Sequence, residues 1–436
     1  MKPLNREIVL KSYLENKETI DRYVENGIEK YRKGDFTLKF SEGGKKKIKI
    51  THKKHSFLFG TTAFMLDSFE KPEKEAEYKK LFSNLFNQAV VPLYWSDLEP
   101  EEGKPRFAKD SVNIYRRPPV DTVLEFCEEY GIQPKGHCML WNAFLPKWFL
   151  EKDEESKKAA IERRFKEISE RYADKIPSFD IVNESASNYY RGKKNLFPDY
   201  DRYGMKLGAK YFPNNIKILN ETNGAIWRNF FNQSEYIPFN MQLREFIREG
   251  IPFDEIGLQY HIFIPNDQIE GTDAFNSFLR ADVMLDVLEL FNSYGYPMHI
   301  SEITIPSYAG KLPENEEIQA YLVETLYKIW FATEHMKSIV WWNLVDGYAA
   351  YAPLGSEEGE NHYAGGLCRF DMSKKPSYHA LDRLINKEWR TNLTAECEGE
   401  YSFRGFFGEY EIEIAEGEKV EKHTVSLTEN GICLSL

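Results

Sequence analysis

The sequence predicts an α/β protein built on a closed (β/α)8 barrel, or TIM barrel, with a small β-rich accessory module formed from the terminal segments. Short apolar, β-rich runs alternate with amphipathic helical stretches from residue 56 to about residue 390. Eight strand–helix repeats of this kind favour a closed parallel barrel over an open sheet. Beyond them, the runs SFRGFFGEYEIEI (402–414) and HTVSLTENGICLSL (423–436) alternate in polarity between turn residues, a pattern typical of antiparallel strands.

The predicted barrel strands are spaced widely enough for a helix to follow each one. Successive strands begin 30 to 46 residues apart, which accommodates a strand, a loop, a helix and the return to the sheet. The intervening segment 154–175 places Ala160, Ile161, Phe165 and Ile168 at helical spacing among charged residues, as expected of an amphipathic helix. The strands are predicted at 56–63, 86–95, 132–140, 178–184, 216–221, 255–261, 297–303 and 338–344.

The chain divides into three predicted parts. Residues 1–55 form a lead-in with a helix at roughly 4–33 and two strand-like runs, residues 56–390 form the barrel, and residues 391–436 form a C-terminal β appendage. We expect the appendage to pair with residues 35–54 into one module. The alternative is two independent segments that cover the flanks of the barrel.

Composition and charge narrow the class of partner. The chain has 436 residues, of which 42% are hydrophobic and 29% charged, as in soluble globular proteins. Its net charge is −12, whereas nucleic-acid-binding proteins usually present a positively charged surface. A negative charge also repels anionic membrane surfaces but does not hinder binding of an uncharged polysaccharide. No apolar run is long enough to cross a membrane. The predicted partner is therefore a polysaccharide or oligosaccharide, not a nucleic acid or a membrane.

The cysteines and the N-terminus bear on metals, cofactors and compartment. The five cysteines are scattered without a CxxC pair or a Cys/His cluster, and no glycine-rich phosphate-binding motif follows the first strand, so we predict neither a metal nor a cofactor. The N-terminal residues lack the apolar core of a signal peptide. A cytoplasmic location is expected for the chain as it stands, and a secreted one if a leader was removed.

Polar and aromatic side chains gather where the predicted strands end. In (β/α)8 enzymes the active site lies at the C-terminal ends of the strands. A plain hydrophobic core would not place so many polar groups there, and aromatic faces pack well against sugar rings. The residues concerned are Tyr94, Trp95, His137, Trp141, Asn183, Glu184, Asn220, Glu221, Gln259, His261, Glu302, Trp342 and Asn343.

Two of these residues, Glu184 and Glu302, predict glycoside hydrolysis. They end the fourth and seventh strands in apolar contexts, so they would face each other across the barrel mouth. A retaining glycosidase needs one protonated and one ionised carboxyl group about 5–5.5 Å apart. Glu221, on the fifth strand, is a competing partner, and its alternative role is to orient the ligand or to form a salt bridge.

Spaced motifs along the chain resemble those of family-10 glycoside hydrolases, best known as endo-1,4-β-xylanases. The resemblance covers nearly all of residues 56–390 and the lead-in at 28–40, with the motifs in matching order and spacing. They are FLFGTTA (57–63), FN (86–87), EPEEG (99–103), GHCMLW (136–141), FDIVNE (179–184), GLQYHIF (257–263), ISEITIP (300–306), WWNLVDG (341–347) and KKPSYHAL (374–381).

The resemblance implies roles for the strand-end residues. Glu184 would be the general acid/base and Glu302 the nucleophile. Asn183 would bind the 2-hydroxyl of the sugar being cleaved. His261 would hydrogen-bond the nucleophile, with Gln259 beside it.

The same resemblance assigns His137 and Trp141 to the wall of the cleaved-sugar subsite and Trp342 to stacking on that sugar. A satisfied core histidine is the alternative for His137 and also for His261.

The chain also departs from the family pattern. The family segment Glu-Asn…Lys-Trp after the second strand is shortened to VVPLYW (90–95). Only Trp95 survives from it, and the Asn and Lys that would grip the neighbouring sugar are missing. The usual second tryptophan after Trp342 is missing, with Tyr348 and Tyr351 nearby instead. These changes concern the substrate more than the reaction.

We therefore predict a retaining hydrolase of β-1,4-linked xylan-type polysaccharide or xylo-oligosaccharides that works by double displacement. The alternatives are an exo-acting β-glycosidase, a hydrolase of a different β-glycan, and a barrel that only binds glycan.

Overall fold

The computed structural model describes residues 3–41, 44–186, 195–227, 234–270, 276–310 and 312–436. Its eight central strands are parallel and close into a barrel in the order β10-β3-β4-β5-β6-β7-β8-β9, which confirms the predicted (β/α)8 fold. These strands are β3 Leu58–Thr62, β4 Gln88–Pro92, β5 Gln133–Trp141, β6 Ser178–Asn183, β7 Ile216–Glu221, β8 Glu255–His261, β9 Met298–Thr304 and β10 Met336–Trp341.

Helices cover the outside of the barrel and make its strands inaccessible on both faces. Every residue of β6 and of β9 is buried, as expected where helices cover a parallel sheet. Helices of eight or more residues span Lys17–Tyr31, Pro72–Leu85, Val120–Tyr130, Glu154–Tyr172, Tyr200–Tyr211, Pro238–Glu249, Ala281–Asn292, Pro313–Ala332 and Pro376–Arg383. Short α-helical turns lie at Arg6–Val9, Lys11–Glu15, Trp95–Leu98, Lys147–Leu150 and Asn223–Ile226.

Local sequence sets where several of these helices begin and end. Asp153 caps the helix Glu154–Tyr172, since its side chain accepts a hydrogen bond from the backbone N–H of Ser156. Gly250 ends the helix Pro238–Glu249 in the left-handed conformation, which glycine adopts without steric cost. Over the described residues, none of the helices is both long and apolar enough to span a membrane.

The terminal segments form two further sheets beside the barrel. The first has the order β12-β1-β15 and the second the order β11-β2-β13-β14, so each combines an N-terminal strand with C-terminal ones. The two sheets share a core of Phe36, Leu38, Ile48, Ile50 and Tyr410, among others. A β-rich accessory module is thus present, as predicted. Its strands are β1 Lys33–Lys39, β2 Lys46–His55, β11 Asn392–Cys397, β12 Glu400–Phe406, β13 Gly408–Glu416, β14 Lys419–Leu427 and β15 Ile432–Ser435.

Two predicted elements differ from the structure. The single helix expected at roughly 4–33 is divided into three, with short helical turns before Lys17–Tyr31. The strand expected at 86–95 ends at Pro92, and Trp95 instead begins a helical turn. This second difference changes the direction of the residues that follow β4.

The strand register brings the predicted site residues side by side. Gln259 on β8 pairs with Glu302 on β9, and His261 pairs with Thr304. β8 and β9 therefore place polar side chains next to each other at the same end of the barrel.

Candidate active site

A cavity of about 510 Å³ lies at the C-terminal ends of the barrel strands. Seven of the residues that the sequence analysis expects in catalysis or substrate binding line it: His137, Trp141, Glu184, Gln259, His261, Glu302 and Trp342. They come from five different strands or the loops directly after them, so the barrel itself sets their relative positions.

The amide of Gln259 joins the two glutamates. Its Nε2 donates to Oε1 of Glu184 at 2.9 Å and to Oε1 of Glu302 at 3.0 Å. Since both oxygens lie at hydrogen-bond distance from one nitrogen, they can be no more than about 6 Å apart. The two residues are only 8% and 4% exposed.

The surroundings of the two carboxyl groups differ. Burial, and then the nearby charge of Glu302, raises the pKa of Glu184 well above its usual value. Glu302 instead receives hydrogen bonds from side-chain nitrogens on three sides. Besides Gln259, Asn220 Nδ2 lies 3.1 Å from its Oε1 and His261 Nε2 lies 3.0 Å from its Oε2. The arrangement suits a neutral Glu184 beside an ionised Glu302.

His261 is held in place from its other side. Its Nδ1 lies 2.8 Å from Oγ1 of Thr304, to which it is hydrogen-bonded. The ring also stacks on Phe263, with centroids 4.8 Å apart. The imidazole therefore has a fixed orientation toward Glu302.

A buried ion pair orients His137. Nδ1 of His137 lies 2.7 Å from Oδ2 of Asp180, and Lys135 Nζ lies 2.8 Å from the same oxygen. Burial alone would raise the pKa of Asp180, but Lys135 and His137 together lower it to about 2. Nε2 of His137 then points toward Glu302, 3.8 Å from its Oε1.

Lys135 and Asp180 were not predicted as site residues. Their sequence signal is that both are charged residues inside barrel strands, and Lys135 stands two positions before His137. Period-two spacing places such residues on one face of a strand.

Glu184 itself has an unusual backbone. Its φ of 53° lies in the left-handed region, which a non-glycine residue adopts only when surrounding contacts hold it there. Glu221 supplies some of those contacts, since its carboxylate accepts from the backbone N–H of Ala186 at 2.6 Å and of Thr222 at 2.8 Å. Glu221 is buried behind the cavity and secures the loop after β6.

Aromatic rings form the cavity wall on the side of β10, β3, β4 and β5. Trp342 packs edge-on against His137, with centroids 5.4 Å apart, and against Phe64. Trp141 lies against Phe144, with centroids 5.0 Å apart.

At the rim of the same wall, Tyr351 is 84% exposed. Its ring stacks on Phe144 at 6.2 Å with an interplanar angle of 22°.

Three expected residues lie outside this wall. Trp95 is buried and donates to Glu99 at 2.8 Å, because the chain turns into a helix after Pro92. Tyr348 is buried and donates to Glu70 at 2.9 Å, so Tyr351 is the tyrosine of that loop that lines the cavity. Asn183 is buried beneath the cavity floor and accepts from Asn220 at 2.7 Å.

Two arginines that were not singled out from the sequence also line the cavity. Arg116 and Arg117 lie on the long loop between β4 and the helix Val120–Tyr130. No residue periodicity in that loop distinguishes the two arginines. The most recognisable feature of the local sequence is the pair of prolines that follows them. The guanidinium of Arg117 lies 4.1 Å from the ring centre of Tyr94.

The described residues contain no group of three or more His, Cys, Asp or Glu side chains placed to hold a metal ion.

The chain is similar to curated proteins along most of its length. The chain is 25% identical over 410 residues to Endo-1,4-beta-xylanase 2 of Arabidopsis thaliana, a match covering 91% of this chain and 34% of that protein. It is 23% identical over 408 residues to Anti-sigma-I factor RsgI6 of Acetivibrio thermocellus, covering 89% of this chain and 45% of that protein. The chain thus spans less than half the length of these two relatives.

The fold is similar to that of xylanase 10B from Thermotoga petrophila RKU-1, whose crystal structure was solved in complex with xylobiose. The TM-score is 0.58 at 20% identity, with 76% of this chain and 95% of that chain covered. The model of Glycosyl hydrolase family 10 matches residues 50–382, which include both glutamates and the whole barrel. With that match over most of its length, the chain belongs to glycosyl hydrolase family 10.

Proposed function

We propose that this protein hydrolyses β-1,4-linked xylan-type polysaccharide or xylo-oligosaccharides with retention of configuration. The observation that carries the proposal is the amide of Gln259, which contacts Glu184 and Glu302 at once. Retaining enzymes keep their carboxyl groups about 5–5.5 Å apart, whereas inverting enzymes need roughly 6.5–9.5 Å to admit a water molecule. A shared hydrogen-bond donor holds the pair near the shorter distance.

In the first step Glu302 attacks the anomeric carbon and Glu184 protonates the departing oxygen. Glu184 is suited to the acid role because burial and the charge of Glu302 raise its pKa. Glu302 is suited to attack because Asn220, Gln259 and His261 fix its carboxylate.

The second step follows from the first by electrostatics. Once Glu302 is bonded to the sugar, its negative charge is gone, and one cause of the raised pKa of Glu184 disappears with it. Glu184, having given up its proton, can then take one from water that attacks the glycosyl–enzyme. The same residue serves as acid and then as base.

The cavity wall fits a sugar ring. Trp342 and Trp141 present aromatic faces and edges to the space above the glutamates, and such surfaces pack against the C–H groups of a pyranose. We assign His137 to the same subsite, whereas Asn183 is 0% exposed and does not line the cavity, so it supports the floor through Asn220 and does not contact the 2-hydroxyl. The names of the curated relatives and the xylobiose bound to a structural neighbour favour xylose units.

A second candidate, exo-action, is favoured by the closure of one side of the cavity. Phe144 and Tyr351 stack across the gap between the loops after β5 and β10. Arg116 ties the loop after β4 to the loop after β10 through Asn343 at 2.8 Å. A cleft closed on that side would hold few sugars beyond the cleaved bond.

Product analysis separates the two candidates. Internal cleavage of xylan releases a ladder of oligomers at early times, whereas exo-action releases one sugar unit at a time. The same assay addresses the third candidate, a barrel that only binds glycan, because no product would form from xylan, xylo-oligosaccharides or β-glucan.

Variants test the two glutamates. Glu302→Gln should abolish turnover, and Glu184→Ala should regain activity on an activated aryl xyloside when azide is added, since azide replaces the water that Glu184 would activate. The matched control is Glu255→Gln, a partly buried glutamate at the opposite end of β8. Full activity in Glu302→Gln would reject the assigned nucleophile.

A further inference from the structure

The cavity wall contains a buried cation that has no anionic hydrogen-bond partner among the residues that the structure describes. Arg116 is 3% exposed, and its two terminal nitrogens donate to the backbone oxygen of Tyr348 and to the side-chain amide oxygen of Asn343. Both acceptors are neutral. Its Nε has no hydrogen-bond partner among the described residues.

Burying a cation without an anionic partner costs free energy, so such a group is expected either to bind a ligand or to have a structural role. Buried charges in proteins are normally paired, because the protein interior solvates an ion poorly. The buried Arg164 shows the structural alternative, since it donates to the carbonyls of Met139, Leu93 and Cys138 and does not line the cavity. Arg116 differs because it lines the catalytic cavity, where its Nε is a buried donor with no partner among the described residues.

Arg117 adds a second guanidinium to the same wall. Its Nε donates to Asp97 at 2.9 Å and its Nη1 donates to the backbone oxygen of Arg116 at 2.9 Å. Its other amino group, Nη2, makes no hydrogen bond to a described residue. The ring of Tyr94 supports its plane, so the free edge has a fixed direction.

The backbone around these groups is strained and fixed. Arg116, Phe144 and Tyr351 all line the cavity and have φ values of 61°, 49° and 59°. Strain of this kind collects at sites whose geometry is held in advance for a ligand. Arg106 holds the loop from behind, donating to the backbone oxygens of Asp97 at 2.8 Å and of Arg117 at 3.1 Å.

The charges that face Arg116 leave room for an anion. Glu360 lies on the same cavity wall and opposes the lowering of the pKa of Arg116 by burial and by Arg117. No ion pair joins Glu360 to Arg116 within the described part of the chain. A guanidinium presents parallel N–H groups that match the two oxygens of a carboxylate.

We propose that Arg116 and Arg117 bind a carboxylate carried by the substrate, so that the preferred substrate is a xylan-type chain bearing a uronosyl unit. This inference rests on the proposed function, and it names the substrate class of the same site.

The test compares kcat/KM for two xylo-oligosaccharides that differ only by a glucuronosyl branch. The wild type should favour the branched oligomer by about tenfold or more, as expected for a charge-assisted hydrogen bond, and the preference should weaken as salt is added. Arg116→Gln should remove the preference, and Arg116→Lys should keep part of it. Equal kcat/KM for both oligomers in the wild type, or an unchanged ratio in Arg116→Gln, would overturn the inference.

The matched control is Arg106→Gln, which loosens the same loop without removing a charge from the cavity. It should lower kcat/KM for both oligomers alike and leave their ratio in place. A loss of the ratio in Arg106→Gln as large as in Arg116→Gln would assign the preference to loop structure and would also overturn the inference.

A binding measurement keeps the inference separate from the proposed function. Calorimetry on Glu302→Gln, which should bind without turnover, compares the two oligomers and also free glucuronate with free glucose. Tighter binding of the branched oligomer and of glucuronate supports the arginine site whether or not the wild type is a hydrolase. Preference for the oligomer alone assigns recognition to a branch on the chain, and absence of any preference rejects the site.

Discussion

The most quantitative prediction concerns Asp180, the buried carboxylate between Lys135 and His137. Asp180 and Lys135 are 0% and 1% exposed, and the pKa of Asp180 falls from 3.8 to about 2 on folding. Since one unit of pKa corresponds to about 1.4 kcal/mol, the ionised group contributes on the order of 2 kcal/mol of stability at neutral pH. Asp180→Asn removes that contribution and leaves Lys135 without a counter-ion, so it should destabilise the fold by at least this amount.

The contribution of Asp180 to stability should depend on pH in a defined direction. A carboxylate whose pKa is lowered by folding stabilises the native state fully above its unfolded pKa, and the effect disappears as the pH falls through about 2. About half of this contribution should remain at pH 3. The difference in unfolding free energy between wild type and Asp180→Asn should therefore shrink by about 1 kcal/mol from pH 7 to pH 3.

Urea unfolding followed by circular dichroism at both pH values measures this difference. The matched control is Asp282→Asn, which removes a half-exposed partner of Arg280 and should cost less than about 1 kcal/mol. An Asp180→Asn variant as stable as the wild type at pH 7, or a difference that is the same at both pH values, would refute the reasoning.

Three further predictions concern the cavity and the terminal module. Gln259→Leu removes a hydrogen bond that lowers the pKa of Glu184, so the alkaline limb of the pH–activity profile should move to higher pH; an unmoved or acid-shifted limb would contradict the assigned acid. Trp342→Ala should raise KM at least several-fold by removing the sugar platform, whereas Trp95→Phe should change stability but not KM, and steady-state kinetics on xylo-oligosaccharides distinguishes them. Phe36→Ala, in the core shared by the two terminal sheets, should destabilise the protein by about 3–5 kcal/mol in urea unfolding; a loss below about 1 kcal/mol would mean that the module unfolds separately from the measured transition.

The barrel could be predicted because its signal is periodic. Strand and helix alternate at nearly regular spacing, and the residues at strand ends must meet at one end of a closed parallel barrel. That rule alone brings Gln259, His261 and Glu302 together, and the register of β8 and β9 does so in the structure. The β-rich terminal module could be predicted from alternation in the same way.

The misplaced residues lie just beyond strand ends, where periodicity stops. The direction of Trp95 depends on the helical turn that begins after Pro92, and the direction of Tyr348 depends on contacts with Glu70 and Lys74. Neither dependence is visible in the local sequence. Position relative to a strand therefore predicted which loop lines the cavity but not which aromatic ring does so.

The sequence did not predict Arg116 and Lys135 as site residues, and the reason is the same for both. A lysine or arginine is usually a solvated surface group, and only the packing around it shows that it is buried. Arg116 is buried because a non-periodic loop folds across the barrel mouth, and Lys135 is buried because Asp180 lies beside it inside the barrel.

The central claim is that Glu184 and Glu302 act as a retaining pair, and the stereochemistry of the first product tests it most directly. Proton NMR of xylo-oligosaccharide hydrolysis, recorded within the first minutes before the anomers equilibrate, identifies the configuration at the newly formed reducing end. Double displacement through Glu302 predicts that the β anomer appears first. Initial formation of the α anomer would show inversion and would contradict the partnership of the two glutamates.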